Sequence, residues 1–243
     1  MRVCLIPLKT EVRNPSANLE RLTQCLAEIA HYQPDLVCLP ECTLTGYLYD
    51  EDDLKQFAEP IPGPLTEQVG RFSKAYGLHL CLGLLETSEW GVYNSAVLLD
   101  RTGRVILKHQ KIEEKPPFTN GNTVNGVDSE FGRLGILICG DLFSKDVLRR
   151  LDSPLDLLIM PMSRSFDGCS PDVKRWISEE RQVYLEAVKA TGVTTLIVNA
   201  LEITTDGLSF GGAMIVNAKG ELLAESPHGT DKVLVWDFNG YGG

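Results

Sequence analysis

Several short runs dominated by apolar residues constrain this chain most: Leu36-Val37-Cys38-Leu39, Gly135 to Cys139, Leu155 to Met160 and Thr194 to Asn199. Each is too short for a helix and is bounded by polar or turn-forming residues, so each reads as a buried strand. Between them lie helical patterns. Asn18 to His31 places Leu19, Leu22, Leu26 and Ile29 on one face, with Asn14-Pro15-Ser16 just upstream as a start signal. Pro64 to Tyr76 and Pro171 to Thr191 read as further helices closed by Gly77 and Gly192, and Lys145 to Leu151 as a shorter one. Arg2 to Leu8, His79 to Glu86 and Lys232 to Phe238 read as additional strands. Two hairpins are predicted, Tyr93–Asp100 with Val105–Ile112 and Gly211–Asn217 with Glu221–Glu225. With no linker or repeat, the pattern predicts one α/β domain over residues 1–243, with a mixed sheet or two sheets and helices outside. The glycine-rich tail 239–243 is expected to fray.

The formal net charge of -10 argues against sequence-independent nucleic-acid binding, which needs Lys and Arg against phosphates. No apolar run approaches the length that spans a bilayer, so no membrane partner is expected. The amino-terminal run reaches polar residues too soon for a secretory signal and reads as a first strand. The 7 cysteines are an odd, irregularly spaced set, which points to free thiols, a reducing compartment and a cytoplasmic location. Their spacing offers no zinc pattern, so no metal is expected.

Three residues stand where chemistry is possible. Cys139 ends an apolar run and precedes Gly140, so its sulfur can sit on a sharp turn at a strand end, with the Gly140 N–H near a developing oxyanion. Glu41 follows the run that ends at Pro40, a position suited to accept a proton from a nucleophile. Lys111 closes a hairpin strand and can supply a fixed positive charge to a tetrahedral intermediate. Taken singly, each equally describes a packed thiol, a solvated loop acid or a surface lysine. A Cys–His pair through His109 is a further arrangement of the same residues.

Their order is more telling. Pro40-Glu41 with Thr45-Gly46-Tyr47, then His109-Gln110-Lys111, then Ile136-Leu137-Ile138-Cys139-Gly140-Asp141, resembles the nitrilase-like carbon–nitrogen hydrolase family. The resemblance extends through Asp156–Pro161, Arg181, Ala187–Asn199, Gly211–Val216 and Val233–Phe238, nearly the whole chain. It implies an αββα sandwich of two mixed β-sheets flanked by helices, homodimers or larger homo-oligomers, and neither metal nor organic cofactor. It implies Cys139 as nucleophile, Glu41 as general base and acid, Lys111 with the Gly140 N–H as oxyanion donors, and a second glutamate after the lysine. Glu113 and Glu114 both qualify for that last role, and a Lys-Ile-x-Glu pattern selects Glu114.

Tyr47 is a candidate pocket wall. Arg164, after a strand end, is a candidate partner for a substrate carboxylate, which suits the ω-amide of a dicarboxylate. Gln110 replaces the usual arginine before the lysine, and Phe143-Ser144-Lys145 replaces the common Phe-Pro-Glu. Gly-Asp after the nucleophile, where nitrilases typically carry Trp-Glu, tilts the expected substrate toward small-molecule amides or carbamoyl compounds. The alternatives are a nitrile hydrolase of the same fold, a glutaminase-like subunit feeding a partner enzyme, and a non-catalytic binding or scaffold protein.

Overall fold

The computed structural model describes residues 1–151, 154–166, 171–203 and 209–238; Cys169 and the tail 239–243 lie outside them. In chain order the strands begin with β1 (Arg2–Leu5), β2 (Lys9–Glu11), β3 (Leu36–Cys38), β4 (His79–Ser88), β5 (Gly91–Leu99) and β6 (Val105–Gln110). They continue with β7 (Gly126–Ser129), β8 (Gly132–Ile136), β9 (Leu157–Met162), β10 (Thr194–Asn199), β11 (Leu201–Ile203), β12 (Ala213–Val216), β13 (Leu222–Glu225) and β14 (Leu234–Asp237). The helices are α1 (Pro15–Ile29), α2 (Glu51–Phe57), α3 (Pro64–Tyr76), α4 (Lys145–Leu148), α5 (Val173–Arg175) and α6 (Arg181–Thr191).

The strands form two six-stranded mixed sheets, ordered β14-β1-β3-β4-β5-β6 and β13-β12-β10-β9-β8-β7, plus a small β11-β2 pair. The inner core joins the two sheets: Val3, Leu36, Ala96 and Leu98 of the first pack against Ile136, Ile159, Leu196 and Ile215 of the second. A second cluster places Leu22, Leu26 and Ile29 of α1 and Val69 of α3 against the outer face of the first sheet. A third places Tyr184 and Val188 of α6 on the outer face of the second. Strands covered on both faces have no polar side to show, which is why their sequence reads as unbroken apolar runs. The expected αββα sandwich is therefore the fold. Truncating a fully buried leucine or isoleucine in these layers costs about 2–5 kcal/mol.

Several elements differ from the sequence expectation. The first strand stops at Leu5, and Lys9–Glu11 leaves to pair with β11. Strand β8 stops at Ile136, so Cys139 lies past the strand and opens a 3₁₀ turn, Cys139–Phe143. The predicted helix from Pro171 starts at Val173, and the turn Trp176–Glu180 between α5 and α6 has π geometry. Lys145–Leu148 is a single helical turn.

Topology decides where side chains meet. Strand β3 runs parallel to β4, and two successive antiparallel pairings return β6 to that same direction. Strands β8, β9 and β10 are parallel to one another. Their carboxyl ends open toward one edge of the sandwich, the usual ligand position of α/β sheets.

Candidate active site

Glu41 follows β3 and is fully buried. Its loop is docked on β4: the Gly83 N–H donates to the Pro40 carbonyl at 2.9 Å, and the Thr43 N–H donates to the Gly83 carbonyl at 2.9 Å. A Cβ at residue 83 would sit 2.5 Å from the Glu41 Cα, so only glycine admits this approach. The Glu41 Oε1 accepts from the Lys111 ammonium at 2.9 Å and from the Asn94 amide at 2.6 Å. Its Oε2 accepts from the Ser163 backbone N–H at 2.8 Å. One carboxylate thus joins the ends of β3, β5, β6 and β9.

Lys111 follows β6 and is 5% exposed. Its N–H donates to the Asn94 carbonyl at 2.8 Å, extending the β5–β6 ladder by a residue and aiming its side chain into the cluster. The ammonium also meets the Glu114 Oε2 at 2.7 Å and the Tyr47 hydroxyl at 3.3 Å. Tyr47 in turn donates a short hydrogen bond to Glu114. The loop carrying Glu114 returns over the lysine, where the Gly121 N–H donates to the Lys111 carbonyl at 2.8 Å. The neighbouring Glu113 instead accepts from the Ser144 hydroxyl at 2.7 Å. Of the two acids, only Glu114 touches the lysine.

Burial opposes charge throughout this cluster, and the partners decide each outcome. Burial raises the Glu41 pKa above the ordinary carboxylate value, with Lys111 and Asn94 pulling against it. Burial also opposes the Lys111 charge, but Glu41, Cys139 and Glu114 outweigh it, so the ammonium holds its proton more tightly than a free lysine. Burial works against the Glu114 charge too, yet Lys111, with the Tyr47 and Asn94 bonds, holds that carboxyl below the usual range. The carboxylates around it therefore favour the charged form of the lysine.

Cys139 stands across from these groups, half-buried, with φ at 45°. This left-handed backbone costs a non-glycine residue of order 1–3 kcal/mol and has to be imposed by its surroundings. Asp141 imposes it. Its Oδ2 accepts from the Ile138 N–H at 3.2 Å and meets His109 Nε2 at 2.8 Å, while its Oδ1 accepts from the Ile112 N–H at 3.0 Å and the Glu113 N–H at 2.9 Å. One buried carboxylate so ties the cysteine turn to the segment after Lys111. His109 is held there through Nε2, and its buried Nδ1 makes no hydrogen bond among the described residues, so the structure shows no Cys–His pair at Cys139. A Cβ at residue 140 would come 4.0 Å from the Lys111 Cε, so the Gly140 backbone lies beside the lysine.

Burial and the Glu41 charge push the Cys139 thiol up to about 12, against the opposing pull of Lys111, the Ser163 N–H and Arg164. The resting group is a thiol. Arg164 is part-exposed; its guanidinium lies 3.9 Å from Glu180 and hydrogen-bonds Tyr184, while its backbone is fixed by Asn199 at 2.7 Å and 3.1 Å. Glu180 also pairs with Arg175 at 3.1 Å, and Arg181 pairs with Glu225 at 3.0 Å. Arg181 thus ties this stretch to β13 and Glu180 links Arg175 with Arg164, while Glu179 and Glu186 stay exposed.

Asn94, Asp141, Ser163 and Glu202 join the site without having been singled out from sequence. Asn94 carried a usable signal, a polar side chain inside the apolar run Tyr93–Leu99. Its amide is oriented by the Cys42 thiol, which donates to Oδ1 at 3.9 Å and leaves the NH₂ facing Glu41 and Glu114. Among the described residues no His, Cys, Asp and Glu side chains group to hold a metal ion.

The sequence profile of the carbon-nitrogen hydrolase family matches residues 2–240. An (R)-stereoselective amidase of a Pseudomonas species is 26% identical over 238 residues, covering 96% of this chain and 82% of that protein. An omega-amidase, NIT2-A, of Xenopus laevis is 27% identical over 141 residues, 52% of this chain and 50% of that protein. In structure, the NitN amidase of Nesterenkonia superposes with a TM-score of 0.81 over 99% of this chain and 93% of its own, at 18% identity. A profile match of that length, on a two-sheet sandwich that solved amidases share, places the chain: it belongs to the carbon–nitrogen hydrolase family.

Proposed function

We propose that this protein, as one hydrolase domain over residues 1–243, cleaves a small-molecule amide or N-carbamoyl bond through a thioester on Cys139. The observation that carries this is the sealed Glu41–Lys111–Glu114 cluster facing a half-buried thiol whose proton cannot leave unaided near neutral pH. Glu41, with its raised proton affinity, takes the Cys139 proton as sulfur attacks the substrate carbonyl carbon. The oxyanion then forms against the Lys111 ammonium and the Gly140 N–H. Collapse breaks the C–N bond, and Glu41 returns the proton to the departing ammonia or amine. Water attacks the thioester, giving its proton to Glu41; the carboxylic acid leaves and the thiol is restored. Glu114 and Tyr47 hold Lys111 in place.

Arg164 lies close enough to act on the Cys139 sulfur and, among the described residues, has a single loose anionic partner, which favours substrates bearing a carboxylate, such as an ω-amide. Exposed Val173, Ile177, Val183 and Phe143 on and beside the α5–α6 stretch support assembly into homo-oligomers. The described cysteines are free, in keeping with a cytoplasmic setting, and no described helix is long and apolar enough to cross a membrane. A panel of small amides, carbamoyl compounds and nitriles, followed by ammonia release, tests the proposal. Release from amides or carbamoyl compounds is expected; release from nitriles alone would replace it with a nitrile hydrolase.

A further inference from the structure

Glu202 is a buried carboxylate that the mechanism above leaves unused. It lies on β11, in the small β11–β2 pair, opposite Thr10. Its Oε1 accepts from the Tyr47 backbone N–H at 2.7 Å, and the same carboxylate hydrogen-bonds the Ser163 side chain. Its own N–H donates to the Ser209 hydroxyl at 2.8 Å, which fixes the strand from which it reaches.

These two partners are the residues through which the site is assembled. The Ser163 N–H holds the Glu41 Oε2 at 2.8 Å and also faces the Cys139 sulfur. The Tyr47 hydroxyl lies between Lys111 and Glu114. The loop after β3 belongs to the first sheet and Ser163 to the second, so one carboxylate bridges the two halves of the site behind Glu41. We propose that Glu202 is a positioning residue for this hydrolase, holding Ser163 and Tyr47 so that Glu41, Lys111 and Cys139 keep their alignment. This rests on the hydrolytic reading of the same site.

Among the described residues, the charged and titratable groups facing Glu202 are Glu41 and the Cys42 thiol, with Lys111 and Glu114 beyond Tyr47, and its hydrogen-bond partners, the Tyr47 N–H and the Ser163 hydroxyl, are neutral donors. Burial pushes the Glu202 carboxyl up to about 7, with the Tyr47 N–H and the Ser163 hydroxyl pulling it down and Glu41 adding to the rise. The ionised form accepts from both donors at once. The protonated form turns one acceptor into a donor, as glutamine does, so Glu202→Gln resembles the low-pH state of the wild type.

The test compares wild type, Glu202→Gln, Glu202→Ala and Ser163→Ala from about pH 5.5 to 8.5, with thermal melting as a check on folding. Two readouts are followed: kcat and KM for the best amide, and the rate at which iodoacetamide labels Cys139, read by intact mass. Glu202→Ala is expected to lower kcat at least tenfold with little change in KM, and Glu202→Gln to recover most of that loss. The wild-type to Gln ratio should be near one below pH 6 and rise severalfold above pH 8 in both readouts. A structural contact alone would leave that ratio flat with pH, and a flat ratio overturns the proposal. Should Glu202→Ala fail to fold, Ser163→Ala, which removes one bond and keeps the backbone N–H, is expected to cost several-fold in kcat; wild-type kcat there also overturns it. Labelling needs no substrate. A pH-dependent labelling ratio without turnover of any amide would sink the hydrolytic reading and leave the positioning role standing.

Discussion

The two sheets end in unlike chemistry. The first sheet delivers Glu41, Asn94 and Lys111, closed from solvent and bonded to one another before any substrate arrives. The second delivers Cys139, Ser163 and Arg164, each part-exposed. On the proposed mechanism the difference separates two jobs. Stabilising a developing charge is cheapest when the opposing charge is already fixed and dry, so no reorganisation is needed during reaction. A nucleophile and a recognition group have to stay within reach of a substrate. The cost of the first arrangement is burial of an ion cluster, and the cost of the second is the left-handed backbone at Cys139.

This division predicts that losses on the thiol side spare stability while losses on the charge side do not. The largest effect on turnover is expected from Cys139→Ala, at least about 10⁴-fold in kcat, with the urea midpoint near that of wild type. A midpoint far below wild type would blur the division at its clearest point.

Lys111→Met is expected to lower kcat by about 10²–10³, the loss typical of an oxyanion donor. It leaves Glu41 and Glu114 buried without a cation, so urea unfolding should also show a loss of about 3–5 kcal/mol. Near-wild-type stability would mean that the cluster is wetter than its geometry indicates.

The thiol gives a test by pH. Burial and Glu41 raise its pKa to about 12, so the thiolate fraction is small at pH 7 and keeps growing well beyond the usual thiol range. Iodoacetamide labelling of Cys139 should therefore climb from pH 8 to 10 without levelling, whereas an ordinary cysteine levels off above about 8.5. A plateau near pH 8.5 would place the thiol in a more solvated or more positive setting.

The smallest effect belongs to recognition. Arg164→Ala should raise KM about tenfold for amides that carry a carboxylate, the scale of a lost charge-assisted hydrogen bond, and leave neutral amides unchanged. An equal change for both would assign Arg164 to the packing around Tyr184.

Sequence reading succeeded where local signals and tertiary burial agree. The predicted helix Pro64–Tyr76 and strand Thr194–Asn199 have those bounds in the structure, the helix stopped by Gly77 in a left-handed conformation. Helix α2 has no periodic signature in the sequence because Leu54 is its one buried residue, so no apolar stripe repeats; the Asp50 cap carries its start. The edge strands β2, β7 and β11 have three or four residues and no alternating pattern. Within the site, Glu41, Lys111 and Cys139 are legible as an ordered set at strand ends. Asp141 was legible only as part of the cysteine motif, since three of its four partners, His109, Ile112 and Glu113, lie about thirty residues away in sequence and only Ile138 is local. Glu202 leaves a fainter trace, an acid three residues past the end of β10, just after Ala200-Leu201. What it touches depends on how two sheets and a two-stranded pair close together, which no local pattern encodes.

The most direct measurement is intact mass of the enzyme acid-quenched during turnover of its best amide. The predicted result is a fraction heavier by the acyl group, with the added mass on the Cys139 peptide, released by hydroxylamine and absent in Cys139→Ala. Turnover that proceeds with no adduct on Cys139, or that survives in Cys139→Ala, would contradict the thioester route.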